Sequence, residues 1–302
     1  MPPKETILFS LKSYRFSSNE MELSKIRFII SMAIFGTIGL FVRMIPFPSS
    51  VISMLRGLLG SAFLAVYLVI SKKGFDFGAV KKNILNLTLS GALIGFNWIL
   101  LFESYKYTSV AKATLCYYMA PIFIVIVSPF VFGERITLKK VVCISLSFVG
   151  MLLISGLLGN VKIEKTETKG ILFGLLSAVL YAVIIVLNKK LKSIGAYERT
   201  VVQLFTCAAV MFLYALINGD IFKMSFAPTG IAVMLLVCIL HTGVAYLLYF
   251  GSMEKIKAQS IAILSFTDPV VAVLISFFIL GEPMGIYGFI GSVLIIGSAV
   301  FC

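Results

Sequence analysis

Residues 120–134 read APIFIVIVSPFVFGE, and residues 268–282 read DPVVAVLISFFILGE. Pro121 and Pro269 are 148 positions apart, and so are Glu134 and Glu282. The same offset continues through the preceding apolar segment, where it pairs Gly95 with Gly243, Leu100 with Leu248, Phe102 with Phe250 and Ser104 with Ser252. Because this offset is about half of the 302 residues, the sequence predicts a tandem duplication.

Composition places the chain in a membrane. Hydrophobic residues make up 60% of it, only 13% are charged, and the mean hydropathy is +1.05. These values predict an all-α integral membrane protein. Windows of about 20 residues predict ten transmembrane helices: 26–44, 49–70, 84–105, 110–132, 137–156, 170–191, 197–217, 229–251, 257–280 and 285–302.

The odd number of spans in each half determines how the halves are related. With five spans per half, the second half starts on the side opposite to the first, so the sequence predicts two inverted five-helix repeats. Placing both termini in the cytoplasm puts 18 Lys and Arg residues inside and 7 outside, as the positive-inside rule requires. The predicted parts are a cytoplasmic tail at 1–25, repeats at 26–156 and 170–302, and a linker loop at 157–169. We interpret the tail as a disordered leader rather than an amphipathic turn.

Several function classes lose their support. The net charge of +13 resides in short turns and follows from topology, so nucleic acid is not a predicted partner. The chain has no G-x-x-x-x-G-K-[ST] motif, which argues against ATP as the energy source. One His and five scattered Cys, without a C-x-x-C pair, predict no metal site, and we expect no cofactor.

The two prolines fall near the middle of their spans. A proline there frees the carbonyl four residues earlier, which is Tyr117 for Pro121 and Ser265 for Pro269. A freed carbonyl inside a membrane needs a partner from a neighbouring helix, a side chain or water. Kinks that only improve packing are one interpretation; repetition at matched depth favours kinks that line a pathway.

Other stretches add to this pattern. They are GERIT at 133–137, LGEP at 280–283, Arg56 within ISMLRGLLGSAFLA, NWILLFESYKYT at 97–108 and HTGVAYLLYFGSM at 241–253. Together with the two proline segments, they resemble the drug/metabolite transporter (DMT) superfamily, EamA type. The resemblance implies a five-plus-five carrier in which helices 1–4 and 6–9 surround a central cavity. It also implies alternating access, usually for efflux of small organic solutes across the cell membrane.

Asp268 and His241 are the first candidates for substrate binding or coupling. Asp268 lies close to the predicted bilayer midplane, where a carboxylate is costly unless it is paired, hydrated or protonated. It is either a proton-coupling group, a partner for a cationic substrate, or an acceptor beside Pro269. His241 lies near the middle of span 8 and is expected to meet Asp268 if consecutive helices pack together; it is otherwise a packing residue. The first half has Ala120 and Leu93 at the corresponding positions.

Further candidates lie at a similar depth in the predicted membrane. Arg56 either holds an anionic group or pairs with a buried partner, for which Glu103 is favoured. Asn97 and Trp98 fit a cavity wall, although Trp98 also suits an aromatic belt. Tyr117 and Tyr246 are lining candidates, as are Tyr118 and Tyr181.

Two kinds of feature have mainly structural interpretations. Glu134 and Glu282 are expected to act in turns or helix caps rather than as gates. Gly91-x-x-x-Gly95, Gly170-x-x-x-Gly174 and Gly281-x-x-x-Gly285 permit close helix contacts within or between chains, so a homodimer is possible.

The favoured function is a secondary transporter that exports a small organic molecule, with the lipid bilayer as its surroundings and protons as a possible coupling ion. One alternative is a non-transporting membrane receptor or scaffold. A lipid-modifying enzyme is less favoured, because it needs a concentrated set of catalytic groups that the sequence does not offer.

Overall fold

A computed structural model describes residues 4–72, 74–132, 137–154, 165–253, 256, 264–282 and 284–301. Within these residues the regular structure is helical, and no strand occurs. Glu134, residues 157–164 of the predicted linker and Cys302 lie outside the described ranges.

The helices, numbered in chain order, are α1 Lys4–Gly36, α2 Ile38–Arg43, α3 Ser49–Ile70, α4 Phe77–Tyr107, α5 Val110–Tyr117, α6 Ala120–Phe132, α7 Leu138–Ile154, α8 Lys165–Lys189, α9 Ala196–Ile217, α10 Pro228–Leu236, α11 Ala245–Met253, α12 Thr267–Phe278 and α13 Ile286–Phe301. A π-helical segment, Val237–Val244, joins α10 to α11, and a short 3₁₀ turn occupies Asp220–Lys223. Helix α1 begins at Lys4, within the predicted tail, and continues into the first span.

Among the residues that the structure describes, six helical stretches are long and apolar enough to cross a membrane: Glu20–Arg43, Ser49–Ile70, Phe77–Tyr107, Lys165–Lys189, Ala196–Ile217 and Pro228–Met253. Four shorter apolar helices, at Val110–Ile124, Val141–Leu153, Thr267–Phe278 and Ile286–Ser298, fall within the other predicted spans. The chain is thus an all-helical, multi-pass membrane protein. The count of ten crossings stays a prediction.

Local signals explain several helix ends. The Asp76 carboxylate accepts from the Ala79 N–H at 2.9 Å, and α4 begins at the next residue, Phe77. The Ser109 hydroxyl accepts from the Lys112 N–H at 3.1 Å and starts α5 in the same way. Such side-chain acceptors satisfy N–H groups that have no partner in the first turn of a helix.

The interruption before each proline occurs at an equivalent place. Helix α5 ends at Tyr117 and α6 begins at Ala120, so the break lies directly before Pro121. In the second half, Phe266 precedes the first residue of α12, and Pro269 is the third residue of that helix. The carbonyl of Ser265 accepts from the Tyr118 hydroxyl at 3.4 Å. A side chain of the other half therefore supplies a partner for the carbonyl that the sequence predicts to be freed.

Contacts between the halves come in matching pairs. By the 148-residue offset, α1, α3, α4, α5–α6 and α7 correspond to α8, α9, α10–α11, α12 and α13. The contact of α4 with α8 corresponds to that of α11 with α1. The contact of α4 with α9 corresponds to that of the π segment with α3, and the contact of α5 and α6 with α8 corresponds to that of α12 with α1. The remaining major contacts join corresponding helices, α3 with α9, α5 with α12, and α7 with α13. Exchange of the halves therefore preserves the packing pattern.

Small residues permit these close contacts within the chain. A Cβ on Gly57 would meet the Leu204 carbonyl at 2.7 Å, and one on Gly91 would meet the Gln203 carbonyl at 2.6 Å. Gly174 is similarly close to Cys116. The first two small-residue motifs therefore serve packing of one half on the other.

Candidate functional site

Five tyrosines and one carboxyl group meet between the halves. Tyr117 and Tyr118 follow one another at the α5–α6 break, and their rings lie 6.0 Å apart. The ring of Tyr117 is 5.4 Å from that of Tyr181 on α8. Tyr246 and Tyr249 complete this set from α11. We call these residues, Tyr117, Tyr118, Tyr181, Tyr246 and Tyr249, the tyrosine cluster.

The tyrosine cluster is not fully buried, although helices of both halves contribute to it. All five side chains are only partly buried, and Tyr117 interacts electrostatically with Tyr181, Tyr246 and Asp268. Tyr117 and Tyr246 therefore stay candidates for lining a solute pathway.

Asp268 lies at the edge of the tyrosine cluster. It is the second residue of α12, and it is partly buried. The Tyr118 hydroxyl, which donates to the Ser265 carbonyl at 3.4 Å, lies close enough to interact electrostatically with its carboxyl group. No cation pairs with Asp268 among the residues that the structure describes. The carboxyl group beside Pro269 thus faces a tyrosine from the first half, where Ala120 holds the corresponding position.

Arg56 is buried in α3 with 3% of its surface exposed. Its Nε donates to the Thr242 hydroxyl at 3.1 Å, and its guanidinium carbon lies 3.9 Å from the centroid of the Trp98 ring. The Phe102 ring is 5.4 Å away. No carboxylate pairs with the guanidinium in the described part of the chain. Burying an ion without a counter-charge costs several kcal/mol, and a stacked aromatic face offsets about 2 kcal/mol of that cost.

The expected pairing of Arg56 with Glu103 is wrong. Glu103 accepts from the Ser49 hydroxyl at 2.6 Å and from the Lys106 ammonium at 2.7 Å. These partners lie near the end of α4, where the carboxylate stays partly exposed. Lys106 follows Glu103 by three residues, a spacing at which side chains on one helix meet.

The expected pairing of His241 with Asp268 is also wrong. His241 is fully buried in the π segment, and its Nε2 lies 2.8 Å from the Thr37 hydroxyl. Thr37 forms the break between α1 and α2, and its hydroxyl donates to the Ile34 carbonyl at 2.7 Å. The hydroxyl proton of Thr37 is therefore engaged with the Ile34 carbonyl, so the imidazole has to donate in its contact with Thr37. In a neutral imidazole, Nε2 then carries the proton and Nδ1 is an acceptor without a proton. Nδ1 is buried without a partner.

The wrong pairing has a simple cause. The π segment packs against α3 and α1–α2 rather than against α12 in the vicinity of His241. The Phe41 ring makes an edge contact with the imidazole at 5.3 Å. Consecutive helices are therefore not the relevant neighbours of His241, because helices of the other half lie between them.

Asn97 differs from its expected position in a cavity wall. Its amide donates to the Ser177 carbonyl at 2.6 Å and to the Ser177 hydroxyl at 3.0 Å. The Ser177 hydroxyl donates in turn to the Asn97 backbone carbonyl at 3.2 Å. Asn97 therefore joins α4 to α8. Trp98, one residue later, faces Arg56 instead of the aromatic belt.

An ionic cluster lies at the end of the bundle that the sequence predicts to face outward. Arg43, the last residue of α2, forms an ion pair with Glu282 beyond the end of α12. Its Nε donates to the Tyr105 carbonyl at 2.8 Å, and one terminal nitrogen donates to the Thr108 carbonyl at 2.6 Å. Arg43 thus links three segments of the chain.

Glu282 completes this cluster. Its second carboxylate oxygen accepts from the Val110 N–H at 3.0 Å, at the start of α5, and from the Ser276 hydroxyl. Gly281 precedes it with a φ of +63°, which is accessible to glycine at little cost and turns the chain out of α12. Glu282 therefore caps α5 rather than the next helix, which corrects the expected role. We call Arg43, Glu282 and their partners the rim network.

Sequence reasoning missed three residues of these sites. Arg43 was counted only as an outer-loop cation, and Thr37 and Thr242 were not assigned any role. Thr242 is the middle residue of His241-Thr242-Gly243, which could have marked it. Thr37 carries no comparable signal, because a threonine in an apolar span is common.

Comparison with known proteins gives the family. The EamA-like transporter family matches residues 25–156 and 168–302, almost the whole chain. The uncharacterized transporter YxxF of Bacillus subtilis is 30% identical over 279 residues, which cover 92% of this chain and 89% of that protein. An uncharacterized transporter of Archaeoglobus fulgidus is 27% identical over 281 residues, with 93% and 96% of the two chains covered.

A solved crystal structure has the same fold. It superposes with a TM-score of 0.64 at 18% sequence identity, covering 93% of this chain and 96% of that one. At this identity the likeness concerns the fold alone. The class of protein follows instead from the family match and from the relatives.

Proposed function

We propose, from the premise that the chain belongs to the EamA-like transporter family, that it moves a small organic solute across the membrane by alternating access. Membership of that family makes it a membrane transporter rather than an enzyme. The transporter-named relatives agree with this class and specify no solute. The contacts of the described residues support a location for the solute and a movement of one half against the other.

The observation that carries the proposal is the exchange symmetry of the packing. Each major helix contact between the halves has a counterpart, and the helix breaks before Pro121 and Pro269 lie at equivalent places. Two related halves that share a central site can rock against each other with two conformations of similar energy. Inverted repeats in a cell membrane, with both termini on the cytoplasmic side, are the topology that fits this movement.

The rim network supports a closed outer end in the present conformation. Arg43 and Glu282 fasten α2 to the end of α12 and to the turn between α4 and α5. To open that end, the ion pair and its associated hydrogen bonds have to separate. The solute would then reach the tyrosine cluster from outside, whereas in the present conformation it would approach from the cytoplasm, as export requires.

Asp268 is the proposed coupling group. It is a carboxyl group without a cationic partner among the described residues, and it faces tyrosines of the other half. Gain or loss of a proton would change its electrostatic interaction with the Tyr118 hydroxyl, and hence the contact between the halves. A transporter coupled to protons in this way would export its solute against a gradient.

The test uses purified protein in sealed liposomes loaded with a labelled metabolite extract. We expect flux of at least one solute above that of empty liposomes, with a rate that depends on an imposed pH gradient. Asp268→Asn is expected to abolish the dependence on the gradient while counter-flow persists, because the amide keeps the shape of the side chain but does not titrate.

Two outcomes would count against these proposals separately. If no solute crosses faster than in empty liposomes, the transport proposal fails for the pool tested. If Asp268→Asn responds to the pH gradient as the wild type does, another group couples the protons. Tyr214→Phe, on the lipid-facing side of α9, is a matched control that is expected to change neither property.

A further inference from the structure

The guanidinium of Arg56 has an environment unlike that of a structural arginine. Titratable neighbours that interact with it electrostatically are Tyr105, Cys207, Cys238 and Tyr246. None of these carries a negative charge at neutral pH. A buried cation surrounded by neutral groups attracts an anion strongly, because the low dielectric of the interior hardly screens its charge.

A second polar group next to Arg56 is left without a partner. His241 precedes Thr242, the hydroxyl acceptor of Arg56, and the charge of Arg56 acts on its imidazole. The Nδ1 atom of His241 is buried and free to accept a hydrogen bond. The location therefore offers guanidinium donors for an acid group and one acceptor for a hydroxyl group.

A cleft reaches toward this location from the predicted outer end. It measures about 360 Å³ and is lined by Val42, Arg43, Ile45, Phe102, Tyr105 and Lys106. Its inner wall, Phe102 and Tyr105, borders Arg56, and both side chains are buried, so the cleft ends there in the present conformation. Tyr246, a member of the tyrosine cluster, also neighbours Arg56. The guanidinium thus lies between the outer cleft and the tyrosine cluster.

We propose that Arg56, stacked on Trp98 and flanked by Thr242 and His241, binds the carboxylate of a small hydroxy acid, whose hydroxyl group donates to His241 Nδ1. This substrate class rests on the proposed transport function. Arginine is suited to the task because its planar fork matches the two oxygens of a carboxylate. The stacked indole holds the fork in one plane and lowers the cost of organising it.

The experiment measures the melting temperature of the purified full-length chain in detergent with three matched probes: lactate, propionate and propionamide. A ligand that binds only the folded state raises the melting temperature. We expect the largest shift with lactate, a smaller one with propionate, and none with the neutral propionamide. Equal shifts with all three probes would overturn the proposal.

Arg56→Met is the main variant. Methionine can keep the contact with Trp98 while removing a buried charge, so the protein without ligand is expected to melt at the same temperature as the wild type or higher. The shifts with lactate and propionate should disappear. Arg27→Met, at an exposed position of α1 outside the rim network and the cleft, is the matched control, and its lactate shift should persist. A lactate shift retained in Arg56→Met would overturn the proposal.

A second variant covers the case in which Arg56→Met does not fold. Arg56→Lys keeps the charge without the fork, and we expect at least a tenfold weaker affinity for lactate. If neither variant folds, the ranking of the melting-temperature shifts that the three probes cause in the wild type decides whether the proposal holds.

Failure of this inference can be told apart from failure of the transport proposal. Flux of a neutral solute in liposomes that is unchanged by Arg56→Met would overturn the carboxylate site and leave transport intact. Lactate binding that is lost in Arg56→Met, in a protein that moves no solute, would support the site and overturn transport.

Discussion

Arg43 and Arg56 lie thirteen residues apart in sequence and have opposite environments. At the rim, Arg43 has a carboxylate and two backbone carbonyls as partners. In the interior, Arg56 has one hydroxyl group and aromatic rings. The partly exposed arginine is thus the one with more partners, although burial makes an unpaired charge far more costly.

The difference in partners indicates different roles for the rim and the interior. A network with complete partners stabilises one arrangement of the segments that it joins. An interior cation without an acid is costly for the empty protein, and a bound anion can remove that cost. The rim network therefore suits closure, and the Arg56 site suits binding.

The largest expected effect comes from reversing one charge in the rim network. Arg43→Glu places two carboxylates together and removes the donors to the Tyr105 and Thr108 carbonyls. We expect a loss of about 3–5 kcal/mol, from the broken pair and its repulsion. The melting temperature should fall by roughly 6–20 °C, since 1 kcal/mol corresponds to about 2–4 °C in domains of 150–250 residues.

Combining Arg43→Glu with Glu282→Arg restores the ion pair in the opposite sense. The rescue should be partial, because the donors to the two backbone carbonyls are not rebuilt at the end of α2. Lys82→Glu, at an exposed position of α4 away from the rim network, serves as the control. A double variant no more stable than Arg43→Glu alone would show that the pair itself matters little.

An intermediate effect is expected from the contact between α4 and α8. Asn97→Ala removes the donor to Ser177 and leaves buried oxygens of that residue with fewer partners. We expect a loss of about 1–3 kcal/mol, seen as a lower melting temperature. The lactate shift should be unchanged, because the amide is not part of the Arg56 site. Thr88→Ala, on the exposed side of α4, is the control.

The smallest effect concerns Asp220 in the loop after α9. Burial alone would raise its pKa, but hydrogen bonds from Lys223 and Ser50 and the charges of Lys223 and Lys106 hold that pKa below its ordinary value of 3.8. Since the folded state has the lower pKa, the stabilisation is fully present above the ordinary value. It is lost as pH falls through the lowered one.

Melting temperatures of the wild type and of Asp220→Asn should therefore differ slightly at pH 7. The difference should shrink as the pH is brought below 3.8. A constant difference across this range would mean that the ionised carboxylate is not what stabilises the loop.

The duplication and the helical membrane fold could be read from the sequence because they depend on repeated or averaged properties. Pro121 and Pro269 reveal the repeat, and mean hydropathy reveals the membrane. The limits of α3 agree with the predicted span because no signal competes with its apolar run. Asp268 was singled out by its depth alone, and the structure adds Tyr118 as an electrostatic neighbour.

Partners of individual side chains could not be predicted in the same way. His241 was assigned to Asp268, and Arg56 to Glu103, on the assumption that neighbours in sequence are neighbours in space. In this fold the halves interleave, so His241 meets Thr37 and Arg56 meets Thr242. These contacts join residues about 200 positions apart, and no local pattern encodes them.

The central claim, that the rim network closes the path to an interior binding site, is tested most directly by cysteine labelling in whole cells. Thr114→Cys, in a background without native cysteines, places a thiol about one helical turn below Val110, where only 4% of the native side chain is exposed. We predict slow labelling by a membrane-impermeant maleimide and at least tenfold faster labelling when Glu282→Gln is added. Lys106→Cys, at the surface, should react equally fast in both backgrounds. Equal labelling of Thr114→Cys with and without Glu282→Gln would contradict the account.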